Sequence, residues 1–351
     1  MNAIPVNAEN KYEVLVDCNW REALKEIAKS RTRVGIVVSA SLRERLGDIS
    51  LGDCDVHLFE IIDGEGSKSA ENLQLMWDWL GAGGFTRSDV LVAVGGGATT
   101  DVAGFAAATW LRGIDWIAVP TTLAGMVDAS VGGKTGMNSS FGKNLIGAFH
   151  SPSAVLIDCE WLSTLSDRDF SAGMAEVVKC GFIADAKILE IVENNSLAEI
   201  RSSRALTTEL IERSVRVKAS VVSEDFKESF AREILNYGHT LGHAVELHSN
   251  YCLRHGEAVS IGMVFAAELA AATGHLSDEI VARHRRILVS LNLPTSYARD
   301  AWAQLLPLLY LDKKSRGRQL RFVGISDIGK TFRLEEVSTQ ELTQTYERIS
   351  Q

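Results

Sequence analysis

The stretch DVLVAVGGGATTDVAGFAAATWL, residues 89–111, decides how the chain is read. Its first part, 90–94, is a short apolar run rich in valine, which suits a strand buried on both faces. The run ends in Gly95-Gly96-Gly97 and passes directly into a helical pattern over 99–111. Glycines at such a junction let backbone N–H groups and the positive helix end approach a pyrophosphate. The spacing is not the G-x-G-x-x-G fingerprint, so taken alone it is a weak signal beside a plain tight turn. Asp101 and the pair Thr121-Thr122, which follow the next strand, fall at the same carboxyl edge, where open α/β sheets bind their ligands.

Working outward, β-branched runs at 12–16, 34–38, 56–62, 116–119 and 154–158 alternate with helical patterns, which predicts a mostly parallel sheet. Beyond residue 165 the strand signal fades. Amphipathic patterns at 168–184, 205–223, 231–247, 256–273, 277–291 and 299–309 take its place, with one small hairpin of 319–323 and 331–334. The expectation is a Rossmann-like α/β domain over 1–165 followed by a mainly α-helical domain over 166–351.

The 351 residues are 46% hydrophobic and 23% charged, which excludes disorder, collagen and coiled coil. A net charge of −9 argues against a nucleic-acid partner. No apolar run approaches the roughly 20 residues that cross a bilayer, and residues 1–12 show no basic cap with an apolar core. Five cysteines without a C-x-x-C pair suit reduced thiols, so a cytoplasmic protein is expected. Asn138-Ser139-Ser140 matches a glycosylation sequon and is disregarded for want of a secretory signal.

Gly132-Gly133-Lys134-Thr135 resembles the end of a P-loop, but Asp128 stands where that motif needs glycine. What remains is a glycine-rich loop bearing Lys134, Lys143 and Asn144, either solvated or a donor set for an anionic or hydroxylated ligand. In the helical half, His239 and His243 stand at i and i+4, a spacing that suits a metal. His255 and Glu257 begin a later helix, and Glu176 and Lys179 share a face of an earlier one. One Glu with two or three His from separate helices suits Zn²⁺ with a position open to substrate oxygens. A surface histidine with satisfied hydrogen bonds is the alternative for any one of them.

Eight motifs then occur in order: Gly95-Gly-Gly to Asp101; Pro120-Thr-Thr; Asp128 through Gly-Gly-Lys134-Thr-Gly; Lys143-Asn-Leu-Ile-Gly-Ala-Phe; Ala175-Glu-Val-Val-Lys179; Arg232-x-x-Leu-Asn236-x-Gly-His239-x-x-x-His243; His255-Gly-Glu-Ala-Val; and Leu311-Asp-Lys-Lys314. Over nearly its whole length the chain resembles the 3-dehydroquinate synthases, the second enzymes of the shikimate pathway. The resemblance implies a divalent metal, Zn²⁺ or Co²⁺, on Glu176, His239 and His255. It implies NAD across Gly96, Gly97, Asp101, Thr121 and Thr122, with Glu65, Lys68 and Lys143 on the nucleotide side. It corrects the spacing argument, because His243 then faces the substrate phosphate with Lys134, Asn144, Asn236 and Lys313. Arg112 is expected to reach that phosphate from the partner of a homodimer. Arg232 and Lys218 match the groups that hold the substrate carboxylate, and Asp128 and Lys179 those around the hydroxyls and the metal.

Two departures stand out. The strand at 34–38 ends in Ser39-Ala40-Ser41 where many relatives carry an acid near the adenosine ribose, and Cys180 follows Lys179 where an aromatic is frequent. A metal-dependent polyol dehydrogenase shares the glycine turn and metal histidines but has no need of Lys134, Asn144, Arg232 and Asn236 together. A cyclase for sedoheptulose 7-phosphate fits less well, since Arg232 and Asn236 suit a carboxylated substrate; the sequence does not exclude one for an amino analogue. A catalytically silent NAD sensor would not need every one of these groups.

Overall fold

The computed structural model describes residues 2–227, 231–311 and 320–351. They form two compact units: one holds the chain up to Leu165 together with Lys218–Lys227, the other holds the rest. Assignment of Lys218–Lys227 to the first unit differs from a simple cut at residue 165.

The first unit is built on strands β1 Asn2–Asn7, β2 Lys11–Val16, β3 Arg33–Ser39, β4 Asp55–Ile61, β5 Val90–Gly95, β6 Asp115–Pro120, β7 Lys134–Ser139, β8 Gly142–Phe149 and β9 Ala154–Ile157, with helices α1 Trp20–Ala28, α2 Arg43–Leu46, α3 Ala70–Ala82 and α4 Gly97–Thr109. Seven strands make one sheet in the order β1-β2-β9-β6-β5-β3-β4. Only the β1–β2 pair is antiparallel. Every residue of β5 is buried, as a central parallel strand covered on both faces requires. Because β3 pairs with both β4 and β5, the chain steps out to β4 and returns across β3, which makes the β3–β5 edge a topological switch point.

The loop expected around Lys134 and Lys143 is instead the antiparallel hairpin β7–β8, in which Lys134 pairs with Phe149 and Gly136 with Gly147. It packs on α4, where a Cβ at Gly104 would lie 2.6 Å from Thr135. The strand β1 was not foreseen either.

The second unit contains α5 Asp167–Ile183, α6 Ala186–Asn194, α7 Leu197–Ser202, most of α8 Arg204–Glu224, α9 His239–His248, α10 His255–Ala272, α11 Asp278–Ser290, α12 Trp302–Leu311, the hairpin of β10 Phe322–Asp327 with β11 Lys330–Leu334, and α13 Thr339–Ile349. Ser166 caps α5 by accepting from Asp169 N. From Phe170 to Ile183 every residue of α5 is buried, so this helix is central and its polar residues need internal partners. The single helix expected over 231–247 is two elements, a 3₁₀ turn Ala231–Asn236 and then α9, parted where Gly238 takes a left-handed φ of 80°. Among the described residues no disulfide joins the cysteines, and no helix is long and apolar enough to cross a membrane.

Candidate active site

In the first unit the predicted nucleotide-side residues gather at the switch point. Ser39, ending β3, shares a hydrogen bond of 2.7 Å with Thr99 in the first turn of α4. A Cβ on Gly95 would lie 2.5 Å from Ser39 Oγ, and one on Gly96 3.1 Å from Thr122 Cγ2, so the glycines let β3, β5, α4 and the end of β6 close together. Thr121 N donates to Gly95 O at 2.9 Å. Beside this cradle Lys68, which is buried, donates to Asp101 Oδ2 at 2.7 Å and to Asn144 Oδ1. Glu65 lies 4.0 Å from both Lys68 Nζ and Lys143 Nζ. Burial pushes the Asp101 carboxyl up against the opposing charge of Lys68.

Asn138 ties this cluster together: its N donates to Lys68 O at 2.8 Å, its Nδ2 to Glu65 Oε2 at 2.9 Å, and its Oδ1 accepts from Asn144 N at 3.0 Å. Sequence reasoning passed over it as an idle sequon. The acid missing from the end of β3 has a neighbour in Asp63, just past β4, which accepts from Ser41 Oγ at 2.7 Å and from Ser41 N at 3.2 Å. A carboxylate therefore stands at that strand end by another route.

In the second unit Glu176 of α5, His239 at the start of α9 and His255 at the start of α10 offer three ligand atoms that all lie within 4.8 Å of one another. His239 Nε2 and His255 Nε2 lie 3.6 and 3.3 Å from Glu176 Oε1, and Lys179 Nζ contacts Oε2. The helices can come this close because α10 begins His255-Gly256, and a Cβ on Gly256 would fall 1.8 Å from Ala172 O of α5. The same end of α10 is clamped by Arg168, whose Nε and Nη2 each donate at 2.7 Å to Glu257, while Glu257 accepts Arg254 N at 2.8 Å. Arg254 Nε in turn lies 2.8 Å from Asp169.

Both Glu176 oxygens are sealed from solvent without a well-formed hydrogen bond. Lys179 balances the charge at Oε2, while Oε1 faces two imidazole nitrogens, and one carboxylate oxygen with two imidazole nitrogens is a divalent-metal donor set that leaves a position open. The residues fit the group. Burial opposes charge on Glu176, but Lys179, His239 and His255 outweigh it and hold its carboxyl well below the usual range. Burial, with Lys179 next, pushes His239 down to about 3, which keeps its imidazole neutral. For His255 burial is outweighed by the two carboxylates it faces, Glu176 and Glu246, which raise it to about 10 when no metal occupies Nε2.

His243 is exposed and outside this triad, with its ring 5.3 Å from that of His239. Arg232 and Asn236 sit in the 3₁₀ turn that leads into α9, and Arg232 is buried. Lys218 is paired with Asp128, contacting both its carboxylate and its carbonyl. Lys134 opens β7, exposed, and Lys313 lies outside the described residues. Arg112 is exposed, on a turn where Leu111 and Arg112 have φ of 49° and 66°. Glu246 was not singled out from sequence, although it follows His239 and His243 at i+7 and i+3 on one face of α9.

Comparison with known proteins identifies the family. Residues 58–172 match the family profile of the 3-dehydroquinate synthase N-terminal domain and residues 173–315 that of the C-terminal domain. The chain is 51% identical over 349 residues to the 3-dehydroquinate synthase of Pseudarthrobacter chlorophenolicus, covering 98% of this chain and 96% of that one. Among solved structures, 2-epi-5-epi-valiolone synthase from Streptomyces hygroscopicus with NAD⁺ and Zn²⁺ bound is 28% identical, with a TM-score of 0.88 over 99% of this chain and 98% of that one. A 2-deoxy-scyllo-inosose synthase complexed with carbaglucose-6-phosphate, NAD⁺ and Co²⁺ is 26% identical, with a TM-score of 0.87 over 99% and 100%. Two family profiles matched over residues 58–315 and about half of all residues shared along nearly the whole chain lead to one conclusion: the chain belongs to the 3-dehydroquinate synthase family.

Proposed function

We propose that the chain is a 3-dehydroquinate synthase, converting 3-deoxy-D-arabino-heptulosonate 7-phosphate to 3-dehydroquinate and phosphate in aromatic amino acid biosynthesis. The observation that carries the reading is the convergence of Glu176, His239 and His255 on one point, in the unit whose buried Arg232 leads into the same helix as His239. Glu176, His239 and His255 would hold the metal; Gly96, Gly97, Asp101, Thr121, Thr122, Glu65, Lys68 and Lys143 would hold NAD. Bound NAD supplies a reversible hydride acceptor, and bound Zn²⁺ or Co²⁺ a Lewis acid for substrate oxygens.

The chain's own groups then have distinct tasks. Arg232 offers the substrate carboxylate a planar fork, with Lys218 as the second cation. Lys134, Asn144, Asn236 and His243, with Lys313, are assigned to the phosphate and compensate charge as its C–O bond breaks. The departing phosphate takes the proton from the neighbouring carbon, so no protein group has to be a strong base for that elimination. Asp128 and Lys179 are assigned to the hydroxyls that orient the ring before its intramolecular aldol closure.

The test uses purified protein, 3-deoxy-D-arabino-heptulosonate 7-phosphate, added Zn²⁺ or Co²⁺, and NAD well below the substrate concentration. Because the net reaction is redox-neutral, phosphate is expected over many turnovers per NAD while NADH absorbance stays nearly flat. One NADH per product, or a halt once NAD is consumed, would establish a polyol dehydrogenase instead. Sedoheptulose 7-phosphate, which gives Arg232 no carboxylate, is expected to show no comparable turnover; equal turnover would count against the assignment of Arg232.

The working form we propose is a cytoplasmic homodimer in which Arg112 completes the partner's phosphate site. Two successive left-handed residues cost energy. Here the turn is held by Arg87, which donates from Nε and Nη2 to Leu111 O at 3.1 and 2.9 Å, and it presents Arg112 outward. Inactive Arg112→Ala chains mixed with inactive Lys134→Ala chains should regain activity through hybrids with one intact site. No recovery, with subunit exchange verified by mass, would rule out the sharing.

A further inference from the structure

The two histidines of the donor set are oriented by different partners. His239 Nδ1 lies 3.1 Å from Tyr237 O, a neutral carbonyl, whereas His255 Nδ1 lies 3.1 Å from Glu246 Oε2, a carboxylate. In both cases Nδ1 donates to the partner and Nε2 is turned toward Glu176 Oε1, at 3.6 and 3.3 Å, so that Nε2 is the nitrogen a cation would take in place of a proton. Glu246 is itself buried and projects from α9, while His255 belongs to α10, so the bond joins the helices that carry the two imidazoles. Gly242, one turn before Glu246, lets them touch: a Cβ there would lie 3.2 Å from Ala258 O of α10. A carboxylate on the far nitrogen of a ligating imidazole selects its tautomer, holds its ring plane and strengthens it as a donor.

We propose that Glu246 is a positioning residue of the metal centre, holding His255 as the Nδ1–H tautomer with Nε2 directed at the cation. The proposal rests on the reading of Glu176, His239 and His255 as metal ligands. An alternative use of the same atoms is a second cation held by His243, Glu246 and His255, whose ligand atoms also lie within 4.8 Å of one another. The Glu246–His255 hydrogen bond speaks against it, because the proton occupies the nitrogen that a second cation would need.

The experiment titrates Co²⁺ into metal-stripped wild type, Glu246→Gln and Glu246→Asp in competition with a chelator, and records stoichiometry, affinity and the visible Co²⁺ absorption. Wild type is expected to bind one Co²⁺ per chain. Glu246→Gln should weaken binding by about 10- to 100-fold and alter the absorption bands, with circular dichroism unchanged. Glu246→Asp keeps the charge but retracts it by one methylene; it should lose less affinity, and it decides the matter should the glutamine variant not fold. Variants that match wild type in affinity and spectrum would overturn the positioning role while leaving the metal reading intact. Two Co²⁺ in wild type falling to one in Glu246→Gln would make Glu246 a ligand and also overturn it. Wild type that binds no Co²⁺ would overturn the metal reading and this proposal together.

Discussion

Glu176→Gln is expected to lower phosphate release by about a thousandfold, or about 4 kcal/mol, the scale of a Lewis acid lost from a charged reaction. The change keeps shape and volume and removes one charge. The consequence extends to Lys179, 1% exposed and in contact with Glu176, which is left as a buried cation with its counter-charge gone. Breaking a buried pair from one side costs about 3–5 kcal/mol, so a drop in stability is expected alongside the loss of activity. Metal content and circular dichroism separate the two effects. A folded Glu176→Gln protein that binds the cation as wild type does and keeps more than a tenth of its turnover would sink the ligand assignment.

The second large effect is on stability and comes from His284 of α11, which is fully buried. Its ring is stacked on Phe182 with centroids 3.6 Å apart. Nδ1 lies 2.7 Å from Ile280 O and donates to it, so Nε2 is the acceptor for Tyr237 O–H at 2.9 Å. Burial is the main reason its pKa falls from 6.5 to about 4. The folded-state value is depressed, so between pH 6.5 and 4 the unfolded chain binds the proton that the folded chain refuses. Stability therefore falls as the pH is lowered through this window, by about 3 kcal/mol in all, and is unaffected by this group above it. Urea unfolding of wild type and His284→Gln across pH 7 to 4 should show a shallower pH dependence in the variant. Parallel curves would refute the account. The residue matters for the site because Tyr237 precedes Gly238 and His239, so the His284 bond anchors the entry to the helix that presents a ligand.

The strands were legible because β-branched runs ended at glycines or turn residues; five of them, β3 to β6 and β9, fall within a residue or two of their observed bounds. The hairpin β7–β8 was hidden because Gly133, Gly136, Gly142 and Gly147 interrupt the period-2 alternation that marks a half-buried strand. In β1, Pro5 and the two asparagines mask an edge strand. The break at Gly238 was missed because the apolar spacing on either side stays in phase, and only the left-handed turn shows that the helix restarts. Glu176 and the histidines were picked out by residue type, but the set Glu176, His239 and His255 came only from the family resemblance, since the i, i+4 spacing had paired His239 with His243. Glu246 was not picked out, although it shares a helix face with His239 and His243, because the residue it acts on stands 9 positions on in the next helix.

The contact between Gly256 and Ala172 O bears on how mutational scans of this chain should be interpreted. Position 256 touches neither substrate nor cofactor in the assignments above, yet every residue other than glycine places an atom where a backbone carbonyl already stands. Gly262, whose Cβ would fall 1.8 Å from Gly238 O, is under the same constraint. In a saturation library scored by growth or turnover these two positions would rank with the ligands themselves and be mistaken for chemistry. Their intolerance would report the spacing between helices, which no chemical rescue restores, whereas a lost ligand leaves that spacing intact.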